Sequence, residues 1–252
     1  MSRSFDFDVA GWKEMLSERV GLTTAPVGVK FSTKPPEGVR RLDRARRLCE
    51  MLKYAQEGNA FYAGPEDHVC GAALYSLGKE LPPVYTSGEY GAGLEFFDSP
   101  RAASRLYDHI PRLEARRGIE YVALSPLERV EYDPDLLIVL AREEQTEVLL
   151  RAMSYSTGKM WTSKSTGVIG CSWLFVYPYL AGELNFTPVL SLGMRALKVF
   201  PPGQHLISIP FDLLDGMLES LRKMPLTLPS LRPGGNAFRK KLLKRLGLDP
   251  RH

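Results

Sequence analysis

The run Asp135-Leu-Leu-Ile-Val-Leu140 constrains the fold more than any other stretch of this chain. Five consecutive large apolar side chains leave no face for water, so the segment reads as a strand covered on both sides. From Glu143 to Tyr155 the apolar residues shift to helical spacing. A second unit of the same kind starts with a strand at Pro26-Val-Gly-Val-Lys-Phe31. A helix over Asp43–Glu57 follows, with Ala45, Leu48, Cys49, Leu52 and Ala55 recurring on its buried face. Strand-to-helix units of this kind predict an α+β fold: a mixed sheet covered by helices, in one compact unit. Around them the pattern places helices at Val9–Val20, Gly71–Leu77 and Ser99–His109, and strands at Ala60–Ala63 and Tyr121–Leu124.

A weak internal repeat runs through this order. Pro26 with its strand, a helix, Gly58, an aromatic strand and Cys70 match Pro134 with its strand, a helix, Gly158, Met160-Trp161 and Cys171, about a hundred residues further on. The expectation is two pseudo-repeated lobes, about 22–80 and 130–185, that set Cys70 and Cys171 in equivalent loops. Such loops can also meet across a homodimer axis. The compact domain is expected over 1–221, with a Pro/Gly linker and a basic amphipathic C-terminal helix over 222–252.

With 252 residues, 44% of them hydrophobic and 25% charged, the chain can bury a real core, which excludes disorder as its main state. No apolar run approaches the roughly 18 residues of a membrane span, and Met1-Ser-Arg-Ser-Phe-Asp6 lacks the pattern of a secretory signal. Three cysteines far apart in sequence make a poor disulfide framework and fit a reducing compartment, so a cytoplasmic protein with free or metal-bound thiols is expected. The net charge of +4 is unevenly placed: residues 222–252 hold nine Lys and Arg against the single Asp249, which leaves the rest of the chain mildly acidic. The basic balance therefore belongs to the tail and does not mark the whole protein as nucleic-acid-binding.

Cys70 and Cys171 each stand where a loop enters an apolar helix, the position at which backbone amides favour a thiolate. Cys49 is explained by helix periodicity alone. A purely structural role, as small buried hydrophobes, is open for all three. No Cys-x-x-Cys, Walker loop, Gly-x-Ser-x-Gly or His-Glu-x-x-His occurs, so any metal site has to be assembled from distant segments. His68, two residues before Cys70, is a candidate ligand or a hydrogen-bonded loop residue. Glu89 and Arg195 lie among glycines where backbone can approach a ligand; Lys164, with the hydroxyls of Thr162, Ser163, Ser165 and Thr166, crowds the approach to Cys171 as an anion-binding loop or a polar turn.

Thr24-Ala-Pro-Val-Gly-Val-Lys-Phe31, Leu48-Cys49, Cys70-Gly-Ala-Ala73, Ser87-Gly-Glu89, Ile110-Pro-Arg-Leu113, Leu124-Ser-Pro-Leu127, Asp133-Pro-Asp135, Gly170-Cys171, Gly193-Met-Arg195 and Ser208-Ile-Pro210 follow in the order seen in the family catalogued as domain of unknown function 169. The chain resembles that family over most of Pro26 to Leu221, with the basic tail outside the match. The family is common in archaea and anaerobic bacteria, and no activity is assigned to it. Its members carry cysteines at the places of Cys49, Cys70 and Cys171 and a further one just before the Gly-x-Arg segment, where this chain has Ser191. The resemblance thus implies at most a three-cysteine iron–sulfur cluster whose remaining position is filled by Ser191, solvent or substrate.

Two functional expectations follow. One is a metal- or iron–sulfur-binding protein with a redox-linked role and an electron-transfer partner, Glu89 and Arg195 acting beside the cofactor. The other is a non-catalytic small-molecule- or partner-binding protein with structural cysteines. The tail helix, with Phe238, Leu242, Leu243 and Leu246 against Arg239, Lys240, Lys241, Lys244 and Arg245, either docks on the acidic body through its leucines or contacts an acidic partner, a membrane surface or nucleic acid.

Overall fold

The computed structural model describes residues 8–114, 118–187, 191–228 and 232–249. Six strands form one sheet in the order β2-β3-β1-β4-β6-β5. They are β1 (Val27–Ser32), β2 (Phe61–Ala63), β3 (Tyr121–Pro126), β4 (Leu136–Arg142), β5 (Asn185–Thr187) and β6 (Gln204–Pro210). The α+β class and the helix-covered sheet are as the patterning predicts, and the run at 136–140 lies in a central strand. All the strand pairings are antiparallel, from Val27 opposite Pro126 in β1–β3 to Leu136 opposite Pro210 in β4–β6. A mixed sheet was expected because a helix follows each leading strand. The strand that follows each helix, β2 or β5, does run in the same sense as its leading strand, but an antiparallel strand, β3 or β6, lies between the two, so no parallel neighbours form.

Side chains alternate across the sheet with the two-residue period of extended backbone. On one face Val27, Val29, Phe31, Leu136, Ile138 and Leu140 pack beneath α2 (Leu48–Gln56), α3 (Gly71–Ser76), and the π-helical turn Ser172–Val176 with its continuation α8 (Tyr177–Ala181). On the other, Leu137, Val139, Ala141, Ile207 and Ile209 pack against α1 (Val9–Glu14), α7 (Glu143–Tyr155) and α10 (Leu214–Lys223). Trp12 and Leu16 are buried there, so the N-terminal helix closes that face. A third, smaller apolar group, Tyr75, Ile110, Ile169 and Trp173, lies beside the first face. The helix α10 runs through the expected boundary at 221 to Lys223, and Met224 is fully buried with its carbonyl accepting from the Arg19 guanidinium at 2.7 Å. The body thus ends a few residues later than the composition suggested.

The predicted repeat is not confirmed. Met160-Trp161, expected to match β2, belongs to no strand, and β5 follows Cys171 whereas β2 precedes Cys70. What the halves share is the strand order read outward from the centre of the sheet, 1-3-2 in one half and 4-6-5 in the other.

Candidate thiol site

Helix α2 begins at Leu48, five residues later than periodicity suggested. The reason is pairing: isolated bridges at Arg41 and Arg46, with a bend at Asp43-Arg44 between them, hold this segment beside the second strand and its exit, with Leu42 N–H donating to Tyr62 O at 2.8 Å, Arg46 N–H to Asp67 O at 2.9 Å and Val69 N–H to Arg46 O at 3.2 Å. The helix then starts with the Arg47 amide donating to the Glu50 carboxylate at 3.0 Å. Cys49 consequently sits in the first turn, close in sequence to the segment that pairs with His68 and Val69.

Cys70 caps the start of α3 in extended conformation (φ −128°, ψ 119°), and His68 is extended as well (φ −98°, ψ 118°). Alternation along extended backbone puts their side chains on the same side. Burial agrees: His68 is 6% exposed and Cys70 half-buried, while Val69 between them faces outward. Neither ring nitrogen of His68 has a hydrogen-bond partner, which is unusual for a buried imidazole. Burial pushes its pKa down to about 4, against the upward pull of Asp67 and Glu66. The Asp67 carboxylate is already engaged by Gly64 N–H at 2.8 Å and by the Arg41 guanidinium at 3.1 Å.

Cys171 opens the third helical segment, immediately after a tight turn. Ile169 there adopts φ 55°, a left-handed conformation that costs a β-branched residue on the order of 1–3 kcal/mol. A Cβ placed on Gly170 would lie 3.0 Å from Cβ of Ser191, and Leu192 N–H donates to Gly167 O at 2.8 Å. The structure therefore brings Ser191 to the start of the Cys171 helix. One residue on, the hydroxyls of Ser172 and Ser76 share a buried hydrogen bond of 2.6 Å, which ties the Cys171 helix to the Cys70 helix.

Cys49 and Cys171 lie in one core cluster, with Cys70 packed against it. Burial first, then Cys70 and Glu50, raise the Cys49 pKa to about 11; burial first, then Cys49 and Cys70, push Cys171 further up. The expectation that a helix start would favour the thiolate at Cys171 fails for this reason. A helix N-terminus contributes roughly 0.3–1 kcal/mol, whereas burial of a charge shifts a pKa by several units. Cys49 and Cys171 are neutral thiols in a dry core.

The other predicted residues are not gathered here. Glu89 opens the exposed helix α5 (Glu89–Gly93), and the glycines beside it serve packing: a Cβ on Gly88 would meet Pro100 O at 2.0 Å, and one on Gly91 would meet Ala103 Cβ at 3.2 Å. Both neighbours lie on α6 (Pro100–Tyr107), so these glycines let two helices touch. Arg195 is exposed on α9 (Leu192–Ala196), whose Met194 is buried in the thiol-side core. Lys164 places its ammonium 4.6 Å from the centre of the Tyr177 ring. Its loop is pinned by Asn185, which donates to Lys164 O at 3.0 Å and Trp173 O at 2.8 Å and accepts from Lys164 N–H at 2.9 Å. Thr166 accepts from the Trp173 indole at 2.8 Å. An open depression of about 480 Å³ is lined by Phe31, Ser32, Thr33, Ile119 and Tyr179, none of them a candidate residue. Asn185 and the Ser76–Ser172 pair escaped sequence reasoning, because isolated Ser and Asn carry no periodic or motif signal.

Among the described residues, no group of three or more His, Cys, Asp or Glu side chains stands in the arrangement of a formed metal site. Sulfur and imidazole nitrogen suit a soft metal or an iron–sulfur group, and the unpartnered His68 is a donor without another use in the fold. The donor types thus fit such a group in chemistry, while their positions among the described residues do not form a coordinating set.

Fold and site define a helix-covered antiparallel α+β protein with three thiols on one sheet face. Residues 15–220 match the model of domain of unknown function 169, described as "Uncharacterised ArCR", and the chain belongs to that family. It is 25% identical over 196 residues to the uncharacterized protein MJ0308 of Methanocaldococcus jannaschii, covering 76% of this chain and 83% of the relative. No solved structure matches it.

Proposed function

We propose that Cys49, Cys70 and Cys171 hold a thiophilic metal or an iron–sulfur cofactor with a redox-linked role, and that His68 or Ser191 fills the remaining position. The observation that carries this reading is the convergence of three cysteines from widely separated segments onto one core region, next to a buried imidazole without a partner. When bound, such a group supplies electron transfer or Lewis acidity. The chain's own part is to surrender thiol protons in a dry site, so loading weakens as pH falls. Cys70, the half-buried member, is the point of entry.

A competing reading is a binding protein with structural cysteines. The burial of Cys49 and Cys171 as neutral thiols favours it. Oxygen-free purification, reconstitution with iron and sulfide, metal analysis and an absorption spectrum separate the two. The first reading expects iron, acid-labile sulfide and visible absorption that disappear in Cys70→Ser and Cys171→Ala. A wild-type protein that stays colourless and metal-free after reconstitution, and also takes up no zinc, establishes the second.

A further inference from the structure

The C-terminal helix α11 (Gly235–Arg245) was expected, on one reading, to dock on the acidic body by its leucines. In the structure the apolar face is covered only in part: Gly235 is buried and Leu242 and Leu243 are half-buried, while Phe238, Leu246 and the following Leu248 are 50%, 57% and 54% exposed. At about 100° per residue, Phe238, Leu242, Leu243 and Leu246 occupy an arc of roughly 140°, while Lys240, Lys241, Lys244 and Arg245 fill the opposite side. From Gly235 to Leu248 no acidic residue interrupts this pattern. Gly234 at φ 84° and Gly247 at φ 70° bound the helix at each end.

We infer that α11 is an in-plane anchor that lays its Phe238–Leu246 face on an anionic lipid surface. Eleven residues span about 16 Å, too short to cross a bilayer, so the helix can only lie in the interface. The cations match anionic headgroups, and the exposed Phe238 and Leu246 match the acyl boundary beneath them. Nucleic acid would satisfy the cations alone and leave the apolar arc in water, which is why the lipid surface is the better fit. Arg239 stands within the apolar arc, where its long stem can lie along the surface with its charge at headgroup level.

The test is co-sedimentation of the full chain with neutral phosphatidylcholine vesicles and with vesicles containing phosphatidylserine, at low and high salt. Two double variants accompany the wild type, Phe238→Ser with Leu246→Ser and Lys240→Glu with Lys244→Glu, each checked for unchanged melting of the body. Binding is expected on anionic vesicles only, to fall with salt, and to drop about tenfold or more in both variants. Absence of pelleting, or equal pelleting with neutral vesicles, overturns the proposal. It is overturned in favour of nucleic acid if the serine variant binds as wild type does and a single-stranded RNA competes for the charged face.

Discussion

On β4, Leu137, Val139 and Ala141 point to one face of the sheet and Leu136, Ile138 and Leu140 to the other, yet what covers the two sets differs in kind. Over the first lie α7 and α10 with Leu149, Leu150, Leu214, Met217, Leu218 and Leu221, a mostly aliphatic layer in which the buried Gln145, Thr146 and Ser220 all have hydrogen-bond partners. Over the second lie three thiols, and beside them the Ser76–Ser172 hydrogen bond, the Asn185 clamp and an imidazole without a partner. Polar groups in a core are stabilising only when their partners are in place, and an apolar replacement would often do as well. Both faces hold the fold together through large apolar clusters, and the thiol face carries in addition features that stability alone does not require.

The largest effect expected is on the aliphatic face. Leu137→Ala should cost about 2–5 kcal/mol through the cavity it leaves. Chemical denaturation would read this as a lower midpoint at unchanged slope, and cofactor loading should be unaltered; altered loading would mean the two faces are not independent. On the thiol side, Ser76→Ala strands the Ser172 hydroxyl and should cost about 1–3 kcal/mol, with the Ser76→Ala, Ser172→Ala double variant less destabilised than the sum of its parts. An additive cycle would remove this hydrogen bond from the argument.

A smaller effect tests the sheet side of Gly28, where the hydroxyl of the half-buried Tyr132 donates to Gly28 O at 2.9 Å. Burial and then the Asp135 charge push its pKa well above the usual phenol range. Below pH 10 the phenol is neutral in both folded and unfolded chains. Above pH 10 only the unfolded chain ionises it, so stability falls as pH rises, by up to about 1.4 kcal/mol per unit from this group. Tyr132→Phe should cost about 1 kcal/mol at neutral pH and show a shallower alkaline loss in melts from pH 8 to 11. The smallest change is expected for Cys171→Ala, about 1 kcal/mol or less in the metal-free protein. A far larger loss there, without any cofactor in the wild type, would make the thiol a packing residue and erase the contrast between the faces.

Much of the frame was legible in the chain. The run 136–140 announced a central strand because both of its faces are buried, and the period of 148–152 in α7 announced the helix beside it. The start of α2 was not legible, since Asp43 to Arg47 carry helical spacing but are kept out of the helix by pairing of Arg41, Leu42 and Arg46 with the segment from Tyr62 to Val69. The glycines at 88 and 91 looked like an opening for a ligand and turned out to be a helix–helix contact, which local sequence cannot distinguish.

The sequence by itself determined the element types, the family, the split between a mildly acidic body and a basic tail, and the three cysteines as the residues to watch. Those follow from local periodicity, composition and residue identity. Only the tertiary structure decided the antiparallel order 2-3-1-4-6-5, the gathering of Cys49, Cys70 and Cys171 at one core cluster, the protonated state of the two buried thiols, and the exposure of Phe238 and Leu246 on α11. Each of these depends on which distant segments pack together and on how much water they exclude, and one-dimensional spacing carries neither quantity.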